Sequence, residues 1–291
     1  MPPQRRGRGV DFEHRYKASK WAEDILLKAF LHKPFVAVRL GTSGVSADNL
    51  VGSVAGEPKV PDLLVFDAAH LSPAEHNALR SRDYDLREVT TAKLSSELSF
   101  VLAKARCAVE VEFSPYKASE MKQRAYVRKT KAQLDKRPLK HAKAPTAPNI
   151  FIKEEDLGPL SAWQSAAKVP IIVVHVFDQE CFGISLEEVL AFRKSIETHD
   201  ANIVRLSHLA GIFREIQNYD RVDAQGAGEK KAVYKVSPAT SILAGKVESV
   251  VVEAVLGESA SKKYVSQVRF SMGRVVFSDE FISWVLSRGR R

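Results

Sequence analysis

From Cys107 to Ser114 the chain alternates without a break: Val109, Val111 and Phe113 point to one side, and Glu110, Glu112 and Ser114 to the other. A period of two fits a strand and does not fit the 3.6-residue repeat of a helix. The fold must therefore accommodate a strand with one apolar face and two acids on the opposite face, about 6.6 Å apart at two residues of strand rise. By itself such a face also suits an antiparallel strand wetted on one side, so its neighbours decide its meaning.

Those neighbours alternate between strand and helix. Trp21, Ala22, Ile25, Leu26, Ala29 and Phe30 recur at helical spacing between about Tyr16 and His32, with Glu23 at the margin of the apolar face and Pro34 closing the segment. Phe35–Leu40 reads as a strand, a Gly- and Ser-rich loop runs through Gly56, and Val60–Asp67 reads as a buried strand introduced by Pro61. Ser72-Pro73 suits a helix cap and first position, and a further helix is expected over Arg87–Lys104. Beyond the acidic strand come a basic helix (Tyr116–Leu134), a Pro-punctuated loop, a short strand (Asn149–Lys153), a helix (Leu157–Lys168), a buried strand (Pro170–Phe177) and a helix (Ser185–Ile196). After His199 an amphipathic stretch runs through Phe213 and a Gly-broken loop follows. Strands are then expected at 232–236, 247–256, 264–270 and 275–277, and a helix at 281–286.

This order predicts an α/β fold, a mixed central sheet flanked by helices, with a β-rich C-terminal portion. Residues 1–14 are expected to form a flexible basic tail and 15–198 a core. Residues 199–291 are expected to form an α+β portion, with DNA recognition or dimerisation as its candidate roles, either an appendage or a continuation of the core domain.

Hydrophobic residues at 45% and charged residues at 27% place the chain among globular proteins and away from disorder. No stretch approaches the ~20 apolar residues of a membrane span, and MPPQRRGRGV has no hydrophobic signal core, so a cytoplasmic protein is expected. Cys107 and Cys181 are too few for a disulfide framework and lie in apolar runs, as small buried hydrophobes would. The formal charge is +9, and it is concentrated. Between Lys117 and Lys143 ten Lys or Arg face two acids, which suits either a polyanion or a solvated helix. Lys122, Arg124, Arg128, Lys129 and Lys131 are the candidate phosphate contacts.

Phosphodiester hydrolysis needs a divalent cation held by carboxylates beside the scissile phosphate. Mg²⁺, hard and oxygen-seeking, takes a few carboxylates and completes its shell with water and phosphate. Asp62, Glu110 and Glu112 offer such a set, and Glu23 is either a fourth acid reaching it or simply the start of the solvent side of its helix. The eight histidines show no zinc spacing with the cysteines, and no Gly-rich phosphate loop is present. His175, on an apolar strand, is expected to be a satisfied core histidine, and Ser43 in Gly-Thr-Ser-Gly is too degenerate a context for a nucleophile.

Pro61-Asp62 followed by Glu110-Val111-Glu112, in this order of helix, strand, strand and basic helix, resembles the PD-(D/E)XK nuclease superfamily. The resemblance spans about residues 15–195. Glu112 stands where the pattern has Lys, as in some restriction endonucleases of that superfamily. More narrowly, the runs 110–121, 151–157 and 170–177 look like type II restriction endonucleases of the AccI type.

The resemblance implies a restriction-endonuclease-like core and Mg²⁺ on Asp62, Glu110 and Glu112. Lys117 is the candidate for activating water, unless it is a phosphate-binding or solvated lysine. A homodimer acting on palindromic double-stranded DNA is expected, since two-fold protein symmetry matches two-fold DNA symmetry. The alternatives are a repair or junction-resolving nuclease and a non-catalytic nucleic-acid-binding protein.

Overall fold

The computed structural model describes residues 10–32, 34–41, 59–87, 98–114, 150–197, 212–222, 228–236, 240–258 and 264–288. In chain order these form α1 (Val10–Phe30), β1 (Phe35–Arg39), β2 (Leu63–Asp67), a 3₁₀ turn at Ala68–His70, α2 (Pro73–Arg80), α3 (Phe100–Lys104) and β3 (Ala105–Phe113). They continue with β4 (Ile150–Lys153), α4 (Glu154–Ala167), β5 (Ile171–Val176), β6 (Glu180–Ser185) and α5 (Leu186–Glu197). The last described elements are β7 (Ile212–Val222), β8 (Gly228–Val236), β9 (Ile242–Glu258), β10 (Tyr264–Phe277) and α6 (Asp279–Ser287).

The fold is α/β, built on a mixed seven-stranded sheet of order β1-β2-β3-β5-β6-β9-β10, with a separate three-stranded sheet β4-β8-β7. Within the large sheet only β3 and β5 run parallel, with Glu110 opposite Val173 and Glu112 opposite His175. Every other neighbouring pair is antiparallel.

Helices cover both faces of the sheet. On one, Ile25, Leu26 and Phe30 of α1 and Phe281 and Val285 of α6 pack on Leu63, Val65, Val109, Val111, Ile172 and Val174. On the other, Leu157 and Leu160 of α4, Leu186 and Val189 of α5, and Ile150, Ile152 and Tyr234 of the small sheet pack on Leu64, Phe66, Ala108, Ile171 and Val173. Coverage on both sides explains why β5 reads as an unbroken apolar run. It also decides the acidic strand: Glu110 and Glu112 follow Ala108 on the second face, and both are buried, so they do not lie on a wet surface.

β9 pairs with β6 and β10 with β9, so the sheet of the core runs on into the C-terminal third. Local signals account for several starts. Ser72 caps α2 in a reciprocal box with Glu75, and Ser185 and Glu188 exchange equivalent hydrogen bonds at α5. Cys107 and Cys181 are buried and unbridged, and burial pushes the Cys107 thiol up to about 12.

Some boundaries differ from expectation. α1 begins at Val10, so residues 10–14, assigned to a flexible tail on composition, are helical. Of the helix expected over Arg87–Lys104, Phe100–Lys104 is helical, Arg87, Leu98 and Ser99 are not, and 88–97 lie outside the described residues. Ile212–Val222 is a strand that the charged run Arg-Glu-Ile-Gln-Asn-Tyr-Asp-Arg disguises. The two C-terminal strands expected at 264–270 and 275–277 are one strand, kinked where Met272 and Gly273 take positive φ. A Cβ on Gly273 would lie 2.8 Å from the Val250 side chain, so the glycine suits both the backbone and the packing there. Among the described residues, no helix is long and apolar enough to cross a membrane.

Candidate metal centre

The site is built from three stretches of chain. β2 sets the first: Leu63 pairs with Val109, so the next step of an antiparallel register brings Asp62 opposite Glu110, and the Val111 amide donates to Asp62 Oδ2 at 2.8 Å. Asp62 is held in place by its backbone as well. Its carbonyl accepts from the amides of Leu40 at 2.8 Å and Gly41 at 3.4 Å, which presses residues 60–62 against the chain leaving β1. Only a residue without a side chain fits there. A Cβ on Gly41 would lie 2.6 Å from the Val60 carbonyl oxygen and 2.7 Å from that of Pro61.

The second stretch is β3, whose alternation puts Glu110 and Glu112 on the face covered by α4. The third is the junction of β4 and α4, with Lys153 ending the strand and Asp156 in the first turn of the helix. One carboxylate oxygen from each of Glu110, Glu112 and Asp156 lies within 4.8 Å of the other two. Asp62 and Glu23 stand outside that trio. Glu23 is 2% exposed and accepts from Ser19 Oγ at 3.2 Å and Lys20 Nζ at 3.0 Å. It is near enough to Asp62 for its charge to act on that carboxyl.

Two lysines enter the cluster. Lys59 Nζ pairs with Glu110 Oε1 and lies 3.0 Å from Asp156 Oδ2. Lys153 Nζ lies 3.8 Å from Asp156 Oδ2 and 4.0 Å from Glu112 Oε1. Asp62, Glu110, Glu112 and Asp156 thus outnumber Lys59 and Lys153 by four charges to two.

The electrostatics follow from that imbalance in a buried place. Burial, with the repulsion of Glu110 and Glu23, holds the Asp62 carboxyl well above the usual range, against Lys59 and the Val111 amide. Burial and Glu112 push Glu110 up to about 7, against Lys59. Burial likewise raises Glu112, which Lys153 and Lys59 oppose. Burial works against a charge on Lys59, but Glu110, Asp156, Glu112 and Asp62 outweigh it and raise its pKa well above the ordinary value. Glu112 is the main reason that Lys153 is raised.

The donor set fits a hard divalent cation. It consists wholly of carboxylates, and Glu110 Oε2 is buried with no hydrogen-bond partner among the described residues. His175 borders this set across the strand pair from Glu112. It is fully buried between Phe151, at 4.7 Å between ring centroids, and Phe177, at 4.4 Å. Burial lowers it to about 3, so it is neutral. Its burial matches a core histidine, but its hydrogen bonding is incomplete: Nδ1 lies 3.5 Å from the Phe151 amide and Nε2 has no partner among the described residues.

Sequence reasoning named Asp62, Glu110, Glu112 and Glu23; of these Glu110 and Glu112 belong to the trio, Asp62 touches it through the Val111 amide, and Glu23 comes near enough only for its charge to act on Asp62. It missed Asp156, Lys59 and Lys153. Lys117, Lys122, Arg124, Arg128, Lys129 and Lys131 lie outside the described residues. Compared with family models, curated proteins and solved structures, the chain matches none.

Proposed function

We propose that the chain is a Mg²⁺-dependent endonuclease of double-stranded DNA, of the type II restriction kind, acting as a homodimer. The observation that carries this reading is the buried carboxylate trio Glu110, Glu112 and Asp156, with Asp62 beside it and one oxygen of Glu110 left without a partner. The resemblance to the PD-(D/E)XK pattern supports it, since Pro61-Asp62 and Glu110-Val111-Glu112 come to adjacent strand positions. Glu110, Glu112 and Asp156 would hold the ion, and Asp62 would orient the Glu110–Val111 turn of the strand through its bond to the Val111 amide. When bound, the ion supplies a lowered pKa to water and stabilisation of charge on the phosphate.

With Glu112 at the pattern's lysine position, the ammonium groups beside the carboxylates among the described residues are those of Lys59 and Lys153, and these join Lys117 as candidates for its part. Both side chains are partly exposed, at 32% and 36%.

Incubation with plasmid DNA and Mg²⁺ tests the proposal. Discrete fragments support it, and Asp156→Asn should remove them while leaving DNA binding intact. A smear, or preference for branched substrates, points instead to a repair or resolving nuclease. Retained binding without cleavage makes the cluster a structural ion-pair network.

The basic run 117–143 is proposed to grip the DNA backbone. Arg128, Lys129 and Lys131 changed together to Ala should weaken all duplexes similarly, because phosphate contacts position and do not read sequence. The salt slope should flatten by up to about 0.9 per lost contact. Affinity against salt for cognate and random duplexes checks this, and an unchanged slope would place the DNA elsewhere.

A further inference from the structure

We infer that Lys59 and the divalent cation compete for the same carboxylates, so that the ion enters by displacing the Lys59 ammonium from between Glu110 and Asp156. This rests on the reading of Glu110, Glu112 and Asp156 as a metal site. Lys59 Nζ contacts two of those three carboxylates, Glu110 and Asp156, and so occupies a locus for positive charge that the cation would share. The two cations oppose each other there, because like charges a few ångströms apart repel more strongly in a weakly polar setting than in water.

The way out is also visible. The Lys59 side chain is 32% exposed while Glu110 is 4% exposed, so part of the lysine side chain borders solvent beside the buried acid it pairs with. The backbone that follows it is not free to move. Asp62 is bonded to Leu40 and Gly41, and the Val60 and Pro61 carbonyls crowd Gly41. The exchange is therefore a side-chain rotation about a fixed stem, with the released ammonium turned towards solvent, where a phosphate would lie. Lys153 is placed differently. It stands 3.8 and 4.0 Å from its acids, at their margin.

Calorimetric titration with Mn²⁺, without DNA, reads the competition directly. Lys59→Met should tighten Mn²⁺ by about tenfold or more, a change worth 1.4 kcal/mol or more, and Lys153→Met should tighten it less. In the wild-type protein, acylation of Lys59 by an amine reagent, read by mass spectrometry, should rise several-fold when Mn²⁺ saturates the site. That arm needs no variant and decides the matter if Lys59→Met does not fold. If Mn²⁺ binds the wild type but Lys59→Met gains nothing or Lys59 acylation stays flat, the competition is overturned and the metal site stands. If Mn²⁺ binds neither protein, the metal site and the competition both fall.

Discussion

Glu110→Gln is expected to abolish cleavage and, in the metal-free protein at pH 8, to raise stability. The ordinary pKa of this carboxyl is 4.5, and in the fold it is pushed up to about 7 by burial and by Glu112. Between those values the folded state keeps a proton that the unfolded chain has lost, so stability falls as pH rises. The loss begins near the unfolded value, is complete above about 7, and amounts to up to about 3 kcal/mol at 1.36 kcal/mol per pKa unit. Glutamine keeps the shape and never ionises, so it escapes that loss, and Lys59 retains Asp156 as a partner. Urea unfolding in EDTA at pH 5 and pH 8 should show the wild type losing stability between them and the variant losing much less. A variant less stable than wild type at pH 8 would mean that the Glu110–Lys59 pair outweighs the desolvation of the carboxylate.

Gly41→Ala is expected to damage the site from outside it. The new methyl would fall 2.6 Å from one carbonyl oxygen and 2.7 Å from another, both backbone atoms of the segment carrying Lys59 and Asp62. That segment must shift, which by analogy with overpacked cores costs about 1–3 kcal/mol. It would also carry Asp62 away from the Val111 amide. Mn²⁺ affinity and cleavage should both drop by tenfold or more, accompanied by a lower melting temperature. Gly158→Ala is the comparison: it lies in α4, a Cβ there meets nothing within 4 Å, and the change should stabilise by about 0.5–1 kcal/mol. Normal metal binding by Gly41→Ala would show that residues 60–62 do not need their present seat.

How much of this was legible follows from the reach of each signal. Glu110 and Glu112 declare themselves because strand alternation is local, and Asp62 because Pro61 punctuates a strand start. Burial of those same acids was not legible. Only the packing of α4 and β4 over β3 distinguishes a buried acidic face from a wet one. Asp156 sits in the first turn of α4 beside Glu154 and Glu155, where acids are ordinary partners of a helix N-terminus, and the helix begins three residues before the expected Leu157. Lys59 follows a loop with no periodicity, and its partner Glu110 is 51 residues away. Glu23 was placed at the edge of an apolar face, and only tertiary packing encloses it to 2% exposure. The sheet's continuation from β6 into β9 is a pairing of the same non-local kind.

The parallel pairing of β3 with β5 also bears on the order in which the molecule assembles. Parallel neighbours cannot be joined by a hairpin, and here the chain between Phe113 and Ile171 makes the crossover, with β4 and α4 on it. Asp62 and Glu110 can meet once β2 and β3 pair, but Asp156 and Lys153 arrive only when the long crossover closes, a step set back by its loop entropy. The complete ligand set then exists in the native state and not before it. A divalent ion would bind that state alone and stabilise it by about 2.7 kcal/mol at a hundred times its Kd. Contacts absent from the folding transition state act on the unfolding rate. The ion should therefore slow unfolding and leave folding nearly unchanged, making the centre a clasp on the finished fold.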